Sequence, residues 1–204
     1  MNRKKIKVDG PANMQRPFKT LWVQEFDPAA VQRFACDLAE IRLARQGVCP
    51  VIIDSDGGDV YSLFAMVDLL AAFDGPVVTI VLKAMSAGAA LASCGTEGHR
   101  YVSPHATIML HDVNDSGGAG KVEEQRANFL ETQRVNRSMW TLIEANIKQP
   151  KGFLLKRLKD RSRADWYVTP REAVRLNLAN HLGTPMFEVR SILDPLLYPP
   201  QWED

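Results

Sequence analysis

A serine and a histidine each stand directly after an apolar segment of this sequence, and together their side chains could perform acyl transfer. Ser86 follows the β-branched run at 77–81 and opens a run of small residues that reaches Ala92. A helix starting at this serine would place free N–H groups beside it, where they could stabilise developing negative charge. His111 follows the apolar residues 108–110, and a histidine at a strand end can reach a nucleophile on a neighbouring loop. Taken singly, Ser86 could also cap a helix, and His111 could be a half-buried structural residue.

Two adjacent glycines, Gly57 and Gly58, follow a short apolar run at 51–53. Paired glycines let the backbone approach a ligand closely and direct N–H groups at it, as an oxyanion donor must. A plain turn between a strand and a helix is the alternative for this pair alone. Lys83 offers an alternative base for Ser86, but a strand residue three positions before the serine is expected to point to another face.

Alternating strand and helix patterns predict the elements that hold these residues. Asp27 and Pro28 form a helix-start signal, and apolar residues then recur at helical spacing until Gly47 ends the pattern. Strands are predicted at 51–53, 77–82, 100–102 and 107–110, and further helices at 63–70, 86–92, 122–147, 152–159 and 170–178. Strands that alternate with helices form right-handed βαβ units. The predicted fold class is therefore α/β.

Composition excludes several classes of protein. The 204 residues include 25 Lys plus Arg and 24 Asp plus Glu, and the formal net charge is +1. This balance gives no electrostatic footprint for nucleic acid. With 46% hydrophobic and 24% charged residues, the chain has ordinary globular composition rather than that of a disordered chain. The length fits one domain, or two small ones.

The cysteines and the apolar stretches indicate a cytoplasmic protein without a membrane span. Cys36, Cys49 and Cys94 show no CxxC spacing, and an odd, sparse set fits a reducing cytosol and no metal site. The stretch at 75–96 carries one charge and divides into a β-branched run and a small-residue run. It is therefore interpreted as a strand and a helix rather than as a membrane helix. Residues 1–8 lack the apolar core of a secretory signal.

Four segments, in this order, resemble the Clp protease proteolytic-subunit (ClpP) family from about Leu21 to Gly183. They are the Gly-Gly turn at 54–60, the nucleophile segment at 84–89, the strand ending in histidine at 107–111, and Asp165 ahead of 167–173. The separation of 25 residues between Ser86 and His111 is the one that the family shows. The resemblance implies a ClpP/crotonase-like fold of stacked βαβ units with a protruding helical handle.

The resemblance also implies a Ser-His-Asp triad. Ser86 would attack the peptide carbonyl, His111 would take its proton, and Asp165 would orient the imidazole. Without the family pattern, Asp112 and Asp115 are equally eligible for the third role.

Further site residues follow from the same resemblance. The backbone N–H groups of Gly58 and Ala87 would form an oxyanion hole. Gly57, Gly117 and Gly118 would bind substrate, the last two by pairing with an extended polypeptide as an added strand. No cofactor and no metal ion are implied.

The implied protein is a self-compartmentalised serine endopeptidase that degrades unfolded polypeptides. The resemblance implies a homo-oligomeric ring (a heptamer or a stacked double ring) that is fed by an ATP-dependent AAA+ unfoldase. Residues 1–19 would form a basic N-terminal arm, 20–190 the peptidase domain with its handle at about 117–150, and 191–204 a C-terminal tail.

The sequence departs from the family pattern at four places near the predicted site. Asp56 stands where proline usually precedes the glycines, and Ala87 replaces the usual methionine. Asp112 follows the histidine directly and could compete with Asp165 for it. Ala164 stands where the family often has an arginine that couples ring stacking to the triad.

These departures, and a short N-terminal region, keep three other hypotheses open. One is a catalytically silent ring subunit, and another is a phage capsid-maturation protease that acts without an ATPase. The third is a crotonase-like acyl-CoA enzyme of the same superfold, which would not need a serine at position 86.

Overall fold

The computed structural model describes residues 18–114, 120–162 and 164–187. Within this part of the chain there are six strands and six helices. The strands are β1 (Leu21–Val23), β2 (Cys49–Ser55), β3 (Val77–Met85), β4 (Arg100–Leu110), β5 (Trp166–Val168) and β6 (His181–Leu182). The helices are α1 (Pro28–Leu43), α2 (Val60–Ala71), α3 (Ala87–Ser93), α4 (Val122–Asn146), α5 (Phe153–Lys159) and α6 (Pro170–Arg175). Most of the predicted N-terminal arm, and all of the predicted tail, lie outside the described residues.

The strands form one mixed sheet in the order β1-β2-β3-β4-β5, and β6 also pairs with β4. Pairing is parallel from β1 to β4 and between β4 and β6, and it is antiparallel only between β4 and β5. The parallel strands are connected through helices, so the predicted α/β fold is confirmed. The strands β1, β5 and β6 were not predicted, because two or three residues are too few to show a period.

Local signals explain where the first helices begin. The Asp27 side chain accepts a hydrogen bond from the Ala30 N–H at 2.6 Å, and Pro28 occupies the first turn of α1. Asp59 accepts one from the Ser62 N–H at 2.8 Å at the start of α2. The sequence predicted the start of α1 correctly, but α1 ends at Leu43, before Gly47.

The segment at 100–110 is one strand, and the prediction of two separate strands was wrong. Its pairing with β3 passes from Val81↔Val102 directly to Lys83↔Thr107, so one residue of β3 faces four residues of β4. Pro104 lies in this irregular stretch, where a missing N–H breaks no ladder hydrogen bond. The proline thus marks a bulge rather than a strand end.

The stretch at 75–96 divides into β3 and α3, as the sequence predicted. Every residue of α3 is buried, which the run of small side chains permits. Among the described residues, no helix has both the length and the apolar character needed to cross a membrane.

Helix α4 has an exposed half and a buried half. Residues 122–130 are all exposed, so the first half of the helix projects from the body of the protein. The second half packs into the core through Val135, Met139, Trp140 and Ile143. The carboxylate of Glu144, which is 2% exposed, accepts hydrogen bonds from the N–H groups of Gly152 and Leu154 at 2.7 and 2.8 Å. These bonds fix the connection from α4 to α5.

Candidate active site

Ser86, His111 and the Gly57-Gly58 turn lie at the carboxyl ends of three adjacent parallel strands. Ser86 follows β3, and His111 follows β4, while the Gly57-Gly58 turn follows β2. The Ser86 N–H donates to the Met109 carbonyl at 2.9 Å, so the serine lies beside the end of β4. The carboxyl ends of the strands in an open α/β sheet are the usual place for a ligand site.

The backbone of Ser86 adopts a conformation that is rare for a residue with a side chain. Its φ is 55° and its ψ is −117°. A serine on such a sharp turn between a strand and a helix presents its hydroxyl away from the backbone, as an exposed nucleophile requires. Ser86 occupies the N-cap position of α3, as the alternative predicted, but its side chain makes no capping hydrogen bond there.

Both glycines of the turn are required by close packing. A Cβ atom at Gly57 would lie 2.8 Å from the Ser86 Cβ, and one at Gly58 would lie 2.6 Å from the Phe26 carbonyl oxygen. Their φ values are 103° and 149°, a region that other residues rarely adopt. Gly57 thus packs on the serine itself and is not among the residues that line the cavity described below.

Two backbone N–H groups next to Ser86 remain available for an acceptor. In the described part of the chain, no protein group accepts a hydrogen bond from the N–H of Gly58 or of Ala87. The N–H of Gly57, in contrast, donates to Ser55 Oγ at 3.0 Å. Ala87 is the first residue of α3, where the helix provides no partner for its N–H. Backbone N–H groups of this kind are the donors that an oxyanion hole uses.

The register between β4 and β5 brings His111 and Asp165 together. The antiparallel pairs are Ile108↔Val168, Met109↔Tyr167 and Leu110↔Trp166. Continued by one residue beyond the last pair, the same register would put His111 opposite Asp165. The two residues, which are 54 positions apart in sequence, therefore lie at the same end of the sheet.

Ser86, His111 and Asp165 line a single cavity of about 880 Å³, together with Gly58 and Ala87. His111 and Ser86 are half-buried, and Asp165 is exposed. Among the described residues, no hydrogen bond joins Ser86 to His111 or His111 to Asp165. Catalytic hydrogen bonds are often long without substrate and shorten in the reactive complex. Gly117 and Gly118, which were predicted to bind substrate, lie outside the described residues.

Sequence reasoning missed the wall of the cavity that faces Ser86. One face of α4 forms this wall through Asn128, Thr132, Val135 and Met139. The spacing of these residues, at three, four and seven positions, is the helical signal that could have revealed the wall. Val135 and Met139 are buried, and the part of the cavity lining that they form is apolar.

A hydrogen-bond network across this cavity was also missed. The Tyr61 hydroxyl of α2 donates to Glu131 Oε1 of α4 at 2.7 Å. Arg134 donates to both Glu131 oxygens, at 2.7 and 2.8 Å. The hydrogen bonds from Arg134, and to a smaller extent the one from Tyr61, lower the pKa of the Glu131 carboxyl from 4.5 to about 2. The bond to Glu131 raises the pKa of Tyr61 above its ordinary value, because ionisation would remove the donor.

Two residues that were considered for other roles at the site, Lys83 and Asp112, make other contacts. Lys83 Nζ forms an ion pair with Asp56 Oδ2 at 2.9 Å, and lysine is not among the residues that line the cavity. The geometry thus gives no support to a Ser-Lys pair. Between described residues, the hydrogen bonds of the Asp112 side chain go to α4 rather than to His111. Within the described ranges, no group of three His, Cys, Asp or Glu side chains is placed to hold a metal ion.

The sequence matches the family model of the Clp protease over residues 43–185, which is more than two thirds of the chain. The matched part includes Gly58, Ser86, His111 and Asp165. The mixed α/β fold, with its six-stranded sheet and six helices among the described residues, is consistent with a ClpP-like fold. The chain belongs to the Clp protease family.

Proposed function

We propose that this protein is a serine endopeptidase that hydrolyses peptide bonds of unfolded polypeptides through Ser86, His111 and Asp165. The observation that carries the proposal is that these three side chains line one cavity with Gly58 and Ala87, whose N–H groups have no acceptor among the described residues. Family membership supports a peptidase, and the backbone of Ser86 is of the type that exposes a nucleophile.

In the proposed reaction, Ser86 Oγ attacks the carbonyl carbon while His111 takes the hydroxyl proton. The oxyanion that forms accepts hydrogen bonds from the N–H groups of Gly58 and Ala87. The C–N bond then breaks, His111 protonates the leaving amine, and an acyl ester remains on Ser86. A water molecule, deprotonated by His111, hydrolyses the ester. Asp165 orients the imidazole and stabilises its cation.

Substrate would bind as an extended chain. Strand addition at Gly117 and Gly118 would recognise the backbone of the polypeptide and not its sequence. The apolar part of the cavity lining, formed by Val135 and Met139, would accept one substrate side chain next to the scissile bond. We therefore expect cleavage of many unfolded proteins into peptides.

We also propose that the active form is a homo-oligomeric ring supplied by an ATP-dependent AAA+ unfoldase in the cytoplasm. The projecting half of α4 exposes three apolar side chains, Val122, Phe129 and Leu130, which a second copy could cover. The three cysteines are all free, which suits a reducing compartment.

Cleavage of an unfolded model protein tests the proposed activity. Permanently unfolded, carboxymethylated protein is incubated with the wild type, with Ser86→Ala and with His111→Ala, and peptides are detected by mass spectrometry. We expect peptides from the wild type and a loss of about 10³-fold or more in each variant. His105→Ala is the matched control, because His105 lies on β4, the strand that ends just before His111, but is exposed and does not line the cavity. Equal cleavage by the Ser86→Ala protein would refute the proposal.

A further inference from the structure

The chain that follows His111 is tied to the helix that forms the opposite wall of the cavity. Asp112 Oδ1 accepts hydrogen bonds from Asn136 Nδ2 at 2.8 Å and from Trp140 Nε1 at 3.1 Å. Asn136 Oδ1 also accepts a hydrogen bond from the Val113 N–H at 3.0 Å. Two consecutive residues after the histidine are therefore attached to α4.

The part of α4 that binds Asp112 is held in place by the packing of buried side chains. Trp140 is 1% exposed, and its neighbours Val135 and Met139 are each 3% exposed. A carboxylate that accepts hydrogen bonds in a partly buried place holds its donors more strongly than a neutral acceptor does. This part of α4 can thus act as a rigid support for Asp112.

Between described residues, few contacts hold His111 itself in place. The strand β4 ends at Leu110, and the last β4–β5 pair is Leu110↔Trp166. No hydrogen bond between described residues involves the His111 imidazole. The direction in which its side chain leaves the sheet thus depends on the backbone of the next two residues.

We infer that Asp112 is a positioning residue for the proposed catalysis, because it ties the backbone after His111 to α4 and so directs the imidazole toward Ser86. The inference rests on the proposed function, in which His111 is the base. Since Thr132, Val135 and Met139 of the same helix line the cavity, a displacement of α4 would move the histidine and the substrate-facing wall together.

The test measures kcat and KM for a fluorogenic peptide, and the rate at which a fluorophosphonate labels Ser86, in the full-length protein. For Asp112→Ala we expect kcat and the labelling rate to fall about 10- to 100-fold with little change in KM, since the change misplaces a catalytic group. Asp112→Asn should restore both to within about 3-fold of wild type, because its amide oxygen can accept the same two hydrogen bonds.

A structural control separates positioning from a general loss of stability. Asn146 also lies on α4, and its Nδ2 donates to Ser93 Oγ at 3.2 Å and to Cys94 Sγ at 3.4 Å, away from His111. We expect Asn146→Leu to lower the melting temperature while kcat stays close to wild type. If Asp112→Ala does not fold, Asn136→Ala removes the bonds to Asp112 and Val113 and serves as the second variant.

The outcomes distinguish this inference from the proposed function. If the wild type is labelled at Ser86 and the Asp112→Ala protein is labelled at the same rate, the inference is wrong and the proposed function stands. The inference is also wrong if Asn146→Leu lowers kcat as much as Asp112→Ala does. If the wild type is not labelled at Ser86 and does not cleave the peptide, the proposed function fails and the inference fails with it.

Discussion

The conformation of Ser86 is held in place by its neighbours. Its N–H donates to the Met109 carbonyl at 2.9 Å, and its own carbonyl accepts from Ala89 and Ala90 at 3.0 and 3.2 Å. A residue in a sparsely populated region of φ and ψ costs about 1–3 kcal/mol and persists only where its surroundings over-determine it. Gly57 completes these surroundings, because its missing side chain leaves room for the Ser86 Cβ.

A methyl group at Gly57 should therefore disturb the proposed nucleophile. In Gly57→Ala the new Cβ would lie 2.8 Å from the Ser86 Cβ, so the turn or the serine must shift. We expect kcat/KM for a fluorogenic peptide to fall about 10- to 100-fold, since a displacement of about 1 Å can have such an effect. The measurement is steady-state kinetics beside a thermal melt.

Gly98→Ala is the matched control for backbone strain. Gly98 has a φ of 80°, but a Cβ there would meet nothing within 4 Å. We expect this change to lower stability by roughly 1 kcal/mol and to leave kcat/KM unchanged. Equal losses of activity in the two variants would show that strain in the fold, and not contact with Ser86, is responsible.

At the scale of the elements, the sequence predicted those parts of the site that depend on local pattern. The end of β3 and the start of α3 were visible as a change from β-branched to small residues, so Ser86 was placed correctly at their junction. Asp165 could not be found in this way, because its place at the same cavity as His111 depends on the β4–β5 register. The three residues of β5 are too few to show the alternation of apolar and polar side chains that predicts a strand. Only the resemblance to a family pointed to this aspartate.

The link between α2 and α4 predicts a pH dependence of stability. The pKa of Glu131 is lowered to about 2 in the folded protein, from 4.5. Its contribution to stability is thus fully present above pH 4.5 and is lost as the pH falls toward 2. At pH 6 we expect the wild type to melt at a higher temperature than the Glu131→Gln protein. This difference in melting temperature should become smaller as the pH falls from 4.5 toward 2. The effect is modest because the network is exposed to solvent.

Scanning fluorimetry of both proteins from pH 6 to pH 3 measures this margin. Gln133→Ala is the control, since Gln133 is an exposed and uncharged residue of the same helix, and its replacement should give a difference in melting temperature that does not change with pH. A margin that stays constant, or that widens on acidification, would contradict the role given to Glu131.

At the scale of the whole molecule, the projecting half of α4 presents an exposed apolar surface. Val122, Phe129 and Leu130 are 78%, 56% and 56% exposed, and their spacing places them on one side of the helix. The proposed assembly would cover them with another copy of the chain. We expect the double change Phe129→Glu and Leu130→Glu to lower the molar mass measured by light scattering toward that of a single chain.

Lys156→Glu controls for the added negative charge in this experiment. Lys156 is exposed on α5, away from the projecting half of α4, so its change should leave the mass at the wild-type value. A double variant that keeps the full mass of the wild type would mean that this part of α4 does not hold the assembly together.

The chemistry of Ser86 is the central claim, and covalent labelling tests it most directly. The wild type and the Ser86→Ala protein are treated with a fluorophosphonate, and the modified residue is located by peptide mass spectrometry. We predict one adduct per chain on Ser86 in the wild type and none in the variant. A wild type that forms its assembly but takes no label, or that takes the label at another serine, would contradict the assignment of Ser86 as the nucleophile.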